Sequence, residues 1–270
     1  MKRLLSGLLV FALTASVLAE DAAEGQTEEE KFPVADAREA KKEIDSFRRA
    51  FDGTMDLDFQ LTAVTKLGKV RHDSIVRELL KLMKHEEPFI AAEAMKGLGN
   101  QVPFRKKIAR FLEKWLVEED NDPRVVAQTI HTACVLEAKN VEELIILLLF
   151  SNEDPVAIGA MNCLAAWRSY KGLPKILELW EMYPDDGEFA TGTVTVDTGA
   201  AGTKDQAAAR ARWNAKYGGM AKRGRPELVQ AIRKGVNEIV GIEEEEKKLK
   251  QFEELKTWMA ENKDVLRRHR

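Results

Sequence analysis

The chain has 270 residues and a formal net charge of −3, from 42 Lys and Arg against 45 Asp and Glu. This near-balance argues against nucleic acid as a general partner, because proteins that bind it usually carry a strong basic excess. A hydrophobic content of 44% with 32% charged residues is typical of a soluble, helix-rich protein.

The first nineteen residues have the pattern of a secretory signal peptide. Lys2 and Arg3 precede an apolar run over 4–13, and the small residues within 17–19 fit a signal-peptidase site. The apolar run is too short to span a bilayer. We therefore expect residues 1–19 to be removed on export. The mature protein would be periplasmic or extracellular, without stable membrane insertion.

Residues 20–34 form the next predicted segment, an acidic disordered spacer. Six carboxylates, no basic residue and almost no apolar side chain occur within 20–30, so this stretch cannot bury enough surface to fold. From 35 onward apolar residues return at helical spacing. They are Ala40, Ile44, Phe47 and Phe51. We expect a helix here that caps the N-terminal end of the array that follows.

A short phrase then recurs and predicts repeated helix pairs. It consists of Ala, an apolar residue, two variable positions and Leu-Gly or Leu-Ala. Clear copies begin at Ala63, Ala94 and Ala160, and a blurred copy begins at Thr129. The steps are 31, 35 and 31 residues, a period typical of stacked two-helix units.

Acidic-Pro pairs mark where units two to four begin. They are Glu87-Pro88, Asp122-Pro123 and Asp154-Pro155. Proline suits the first helical turn, and the acidic residue before it can cap the helix. A second helix with a denser apolar stripe follows in each unit. The stretch 145–150 is apolar on every side, so we expect that helix to be the most buried.

The acidic-Pro pair, the Ala-apolar-x-x-Leu-Gly phrase and the second amphipathic helix together resemble the short HEAT repeats of exported bacterial proteins. The resemblance covers about half of the chain; the first unit lacks the proline and the third lacks the Leu-Gly pair. It implies an all-α fold, a right-handed α-solenoid of about four HEAT-like helix pairs with helical caps at both ends. The array with its N-terminal cap helix would occupy 35–184, and its second helices would line a concave face.

The remaining segments differ in composition. Residues 185–204 are rich in Gly and Thr and predict a flexible loop. Residues 205–270 predict a C-terminal helical cap, with helices at 205–217, 226–240 and 243–261.

The sequence contains no recognisable catalytic constellation. The four His residues share no ligand spacing with one another or with Cys, and no metalloprotease, Cys-x-x-Cys or serine-hydrolase motif occurs. We therefore expect no catalytic residue, no metal and no cofactor. Cys134 and Cys163 occupy repeat slots two positions apart. We expect them to point apart and to remain free, partly buried thiols.

The predicted function is a non-enzymatic protein-protein interaction scaffold that binds a protein or peptide on its concave face. The candidate residues are basic positions of the second helices in units one and two. They are Arg77, Lys81, Lys84, Lys107, Arg110 and Lys114. Matching positions in units three and four are mostly acidic, which predicts a charge gradient that would orient a charged partner. The alternative is that these are ordinary solvated helix faces.

A second candidate patch lies in the basic segment 204–234. Its residues are Arg210, Arg212, Trp213 and Tyr217, a basic-aromatic group suited to an acidic partner. The alternative function is an enzyme built on a HEAT-like array, with an unrecognised substrate.

Overall fold

The structure, a computed structural model, describes residues 33–117, 122–183, 225–244 and 248–268, and all regular secondary structure in these ranges is helical. The all-α class is confirmed over these ranges, which contain no strand. The predicted signal peptide, nearly all of the spacer, the Gly/Thr loop and the helix at 205–217 lie outside the described residues.

Twelve α-helices occur in the described ranges. They are α1 (Ala37–Asp52), α2 (Leu57–Gly68), α3 (Asp73–Leu82), α4 (Pro88–Gly99), α5 (Arg105–Val117), α6 (Pro123–Val135), α7 (Glu142–Leu148), α8 (Asp154–Ala166), α9 (Leu173–Met182), α10 (Pro226–Val240), α11 (Phe252–Glu261) and α12 (Lys263–Arg268). One turn of 3-10 helix precedes each of α5, α7 and α9.

Acidic residues cap several helix starts, including two of the three that the acidic-Pro pairs predict. The side chains of Asp56, Glu87 and Asp122 each accept a hydrogen bond from a backbone N–H of the first turn. This bond satisfies a donor that the helix itself leaves unpaired. Asp154 lies inside α8 instead of capping it, and its Oδ1 accepts a hydrogen bond of 2.6 Å from Arg225 Nε. That bond joins the start of α8 to the start of α10.

The helices that carry the recurring phrase pack on one another in chain order: α2 on α4, α4 on α6, and α6 on α8. α2 and α4 approach each other closely: a Cβ added to Gly68 would lie 2.7 Å from the Cα of Gly97. Only glycine permits this spacing, because carbon atoms ordinarily remain about 3.5–4.0 Å apart. The small residues of the phrase thus allow the first helices to lie close together.

The second helices α3, α5, α7 and α9 bury their apolar stripes against the first helices. The buried stripe residues include Ile75, Leu79, Ile108, Leu112, Ile145, Leu148, Ile176 and Trp180. Within 145–150 every side chain is buried except that of Leu147, which is half-buried. The stripes therefore form the core that the sequence pattern predicts.

The terminal helices extend these contacts. The N-terminal helix α1 packs on α2 and α3. At the other end α10 packs on α8 and α11 packs on α9. The predicted helix at 243–261 is wrong in its first part: residues 243–244 and 248–251 are not helical, and α11 begins at Phe252, because Asn237 binds the backbone of Leu249 and holds it out of a helix.

The two cysteines are free, as predicted, but their side chains meet. Cys163 donates a hydrogen bond to Cys134, which lowers the pKa of the Cys134 thiol. The same bond, together with burial, raises the pKa of Cys163. The prediction that the two side chains point apart is wrong, because α6 and α8 are brought together near their C-terminal ends. There the Trp167 Nε1–H donates to the Cys134 carbonyl oxygen at 3.4 Å.

Candidate functional site: a basic groove between α3 and α5

The six predicted binding residues lie on two neighbouring second helices. Arg77 and Lys81 belong to α3, Lys84 follows its last turn, and the other three belong to α5. Spacings of three and four residues place each set on one helix face. An ion pair links the starts of the two helices: Lys107 Nζ of α5 lies 2.5 Å from Asp73 Oδ1 of α3.

A groove runs between these two helices. Its lining consists of Leu80, Lys106, Lys107, Arg110, Phe111 and Lys114. We call it the α3–α5 groove. Leu80 and Phe111 are half-buried, and the four basic side chains are exposed. The groove thus combines apolar surface with a cationic rim, a composition suited to a partner that carries apolar and acidic groups.

Asp73 neutralises part of this basic surface. It accepts hydrogen bonds from Lys107 and from Arg77, whose Nε lies 2.9 Å from Asp73 Oδ2. These two bonds, Lys107's foremost, lower the pKa of the Asp73 carboxyl. Asp73 therefore stays ionised near neutral pH and binds both Arg77 and Lys107 at the start of α3.

Glu78 neutralises a second pair of cations. Its side chain is only 12% exposed and accepts bonds of 3.0 Å each from Arg48 and Lys81. Burial opposes ionisation of Glu78, but the two bonds outweigh it and the pKa lies below its ordinary value. Lys81 is thus committed to an intramolecular contact.

The other cations of the surface keep their charge available. Within the described part of the chain, Lys84, Lys106, Arg110 and Lys114 have no ion pair. Glu113, on the same helix, accepts a hydrogen bond of 3.0 Å from Asn140 Nδ2, which precedes α7. Its carboxylate is therefore held toward the next unit and away from α3.

The acidic half of the predicted gradient is also partly neutralised. Glu143 binds Lys171, and Glu178 Oε2 lies 2.7 Å from Lys175 Nζ. In each pair a lysine offsets the carboxylate. By contrast, Lys106, Arg110 and Lys114 of the α3–α5 groove have no ion pair within the described residues.

Sequence reasoning missed three residues of this site. Leu80 follows the apolar pattern of α3 and so reads as a core residue, and Phe111 and Lys106 are not among the predicted positions. The one sequence signal is an aromatic residue among cations, Phe111, four residues after Lys107 and one after Arg110; its partial exposure is evident only in the structure. The second predicted patch, at Arg210, Arg212, Trp213 and Tyr217, lies outside the described residues.

Comparison with protein-family models finds no match, and comparisons with curated proteins and with solved structures find none either. No helix in the described ranges is both long and apolar enough to cross a bilayer. The same ranges contain no group of three or more His, Cys, Asp or Glu side chains arranged to hold a metal ion.

Proposed function

We propose that the protein is an exported interaction scaffold, an α-solenoid of HEAT-like helix pairs that binds an acidic, amphipathic protein segment in the α3–α5 groove. The observation that carries this proposal is the conjunction of Leu80 and Phe111 with cations that have no partner in the described residues. A helical peptide segment with apolar residues on one face and carboxylates along its edge matches both features.

The solvent exposure of each groove residue indicates what it would contribute to peptide binding. The apolar contacts with Leu80 and Phe111 supply affinity, because they remove half-exposed hydrocarbon from water. The exposed cations Arg110 and Lys114 supply orientation and a faster association rate, since exposed charges add little to affinity individually.

The proposal rests on the groove and not on the predicted concave face. In a curved array of helix pairs, the more closely spaced set lies on the inside of the curve. The first helices pack on one another in chain order, with Gly68 of α2 close to Gly97 of α4, and this favours them as that inner set. The α3–α5 groove would then open on the outer side, where spacing between second helices leaves room for a ligand.

A peptide-binding experiment tests this proposal. Its probe is a fluorescein-labelled synthetic helix with Leu on one face and Glu on the other, followed by fluorescence anisotropy. A peptide with Lys in place of Glu, and a shuffled peptide of the same composition, serve as controls for charge and amphipathicity. We expect the acidic amphipathic peptide to bind more tightly than either.

The variant Arg110→Glu/Lys114→Glu should weaken that binding about tenfold, a loss of about 1.4 kcal/mol. The matched control is Lys263→Glu/Arg267→Glu on α12, which makes the same change in charge at the same spacing on another exposed helix face. Equal loss in both variants, or equal binding of the acidic and basic peptides, would exclude the groove as the binding site.

A further inference from the structure

A separate cleft lies at the C-terminal end of the described fold, about 710 Å³ in volume, where α8, α10 and the segment 248–250 meet. We call it the α8–α10 cleft. This volume lies within the range of sites that take small molecules, about 300–1,000 Å³. Its apolar floor consists of Ala165, Ala166, Ile242 and Leu249.

One buried amide fixes the wall of this cleft. Asn237 is 6% exposed, and its Nδ2 donates to the backbone oxygen of Leu249 at 3.0 Å. Its Oδ1 accepts from the Leu249 N–H at 2.8 Å. Because the amide binds both the N–H and the C=O of Leu249, it holds the segment 248–250 against α10. The cleft is therefore formed by anchored backbone on one side and by helices on the other.

The rim of the α8–α10 cleft is predominantly cationic. Five basic side chains line it against two carboxylates, those of Glu238 and Glu243. Glu238 is 3.7 Å from Lys234, in a pair whose side chains are largely exposed and which contributes little. In the described residues Arg168, Arg233 and Lys250 have no side-chain ion pair.

Arg233 gives the cleft its most specific feature. Its Nε is buried and has no hydrogen-bond acceptor among the residues that the structure describes. A buried N–H that lacks an acceptor is unfavourable, and the guanidinium fork is suited to two parallel bonds with a planar or tetrahedral oxyanion. The Nε–H is shielded from solvent, so an oxyanion in the cleft would meet the two terminal Nη groups of Arg233, which also lines the cleft.

We infer that the α8–α10 cleft binds a small amphipathic anion, whose apolar body lies on the alanine and leucine floor and whose carboxylate or phosphate meets Arg233. The floor excludes water from one side of the ligand, which strengthens the charged contact on the other. The carboxylate of a fatty acid and the phosphate of a lipid-derived monoester share this chemistry. The site is distinct from the α3–α5 groove and does not depend on it.

Isothermal titration calorimetry on the full chain tests this inference. The probes are decanoate, decyl phosphate and decyltrimethylammonium, each below its micelle concentration. Decanoate or decyl phosphate should bind at one site per chain at least tenfold more tightly than the cation. The tighter of the two anions identifies the head group. Weak binding at many sites, or equal binding of the cation, would overturn the inference.

Two variants locate the site. Arg233→Met keeps the apolar stem and removes the guanidinium, and should weaken binding of the anion at least tenfold. Arg267→Met, on α12, is the matched control and should leave it within twofold. Ala166→Phe fills the floor from an exposed position at the end of α8 without changing charge, and should also abolish binding. If Arg233→Met does not fold, the Ala166 variant decides: retained anion binding there would refute the site.

Discussion

The contact between Gly68 and Gly97 predicts that Gly68→Ala destabilises the fold. A Cβ at position 68 would lie 2.7 Å from the Cα of Gly97, which is about 1 Å inside ordinary carbon contact. Relief requires α2 and α4 to move apart, because the obstructing atom is backbone and cannot rotate away. That movement also stretches the bond of 3.1 Å from Gln101 Nε2 to the Gly68 carbonyl oxygen.

The magnitude follows from two opposing effects. Overpacking a tight contact costs about 1–3 kcal/mol. Alanine is better than glycine in a helix by about 1 kcal/mol, but Gly68 is the last residue of α2, where this gain is smaller. We therefore expect a net loss of about 1–3 kcal/mol, with a fall in Tm of about 2–4 °C per kcal/mol for a domain of this size.

Gly159→Ala is the matched control, since Gly159 lies within α8 and a Cβ there would be 3.9 Å from its nearest neighbour. That variant should leave stability unchanged or raise it by up to about 1 kcal/mol. The assay is urea unfolding followed by circular dichroism at constant m. If Gly68→Ala were as stable as Gly159→Ala, the close crossing of α2 and α4 would be refuted.

Three further predictions concern the cysteines and two buried polar contacts. Cys163→Ala should raise the pKa of Cys134, because the variant lacks the hydrogen bond that lowers this pKa. Iodoacetamide should then alkylate Cys134 more slowly near neutral pH. An unchanged alkylation rate would contradict the contact between the two thiols. Gln101→Leu should lower the free energy of unfolding by about 2–4 kcal/mol, because the buried Gly68 carbonyl oxygen and the partly buried Val70 carbonyl oxygen lose their side-chain donor, now at 3.1 and 3.0 Å. A loss below about 0.5 kcal/mol in urea would argue against this role. Asp154→Ala leaves the guanidinium of Arg225, whose side chain is 2% exposed, without its carboxylate. Because Asp154 is itself partly exposed, we expect the free energy of unfolding to fall by about 2–3 kcal/mol, measured by thermal melting. A wild-type Tm would show that the pair is not formed.

The helices and their buried faces were predictable because they depend on local spacing. The phrase beginning at Ala63 repeats apolar residues one, three and four positions apart, which can only be buried together on a helix. Residues such as Val64, Leu67 and Leu98 are buried for this reason. The acidic caps at Glu87 and Asp122 were predictable in the same way, because a cap acts within one turn.

Contacts between helices were not predictable from that spacing. The contact between Gly68 and Gly97 depends on where two helices cross, and the meeting of Cys134 with Cys163 depends on the same geometry. Asp154 precedes a proline and therefore looks like a cap in the sequence. Its actual partner, Arg225, lies 71 residues further along the chain. Such pairings require the tertiary arrangement, which a repeat pattern does not specify.

The candidate site was half predictable. Basic residues at helical spacing identified α3 and α5 as a charged surface, and three of them do line the groove. The sequence does not show which cations form intramolecular ion pairs, because that depends on which neighbours Asp73 and Glu78 contact in the folded structure. The apolar part of the site was also hidden, since Leu80 continues a core stripe and only its partial exposure distinguishes it.

The most direct measurement of the proposed function is methyl NMR of the full chain during titration with the acidic amphipathic peptide. The Leu80 methyls lie in the α3–α5 groove, whereas Leu177 is the equivalent half-buried leucine of α9, beside Glu178. Specific binding in the groove predicts saturable shifts at Leu80 that are absent at Leu177 and are lost in Arg110→Glu/Lys114→Glu. Shifts of equal size at both leucines, or none at Leu80 while the peptide binds, would contradict it.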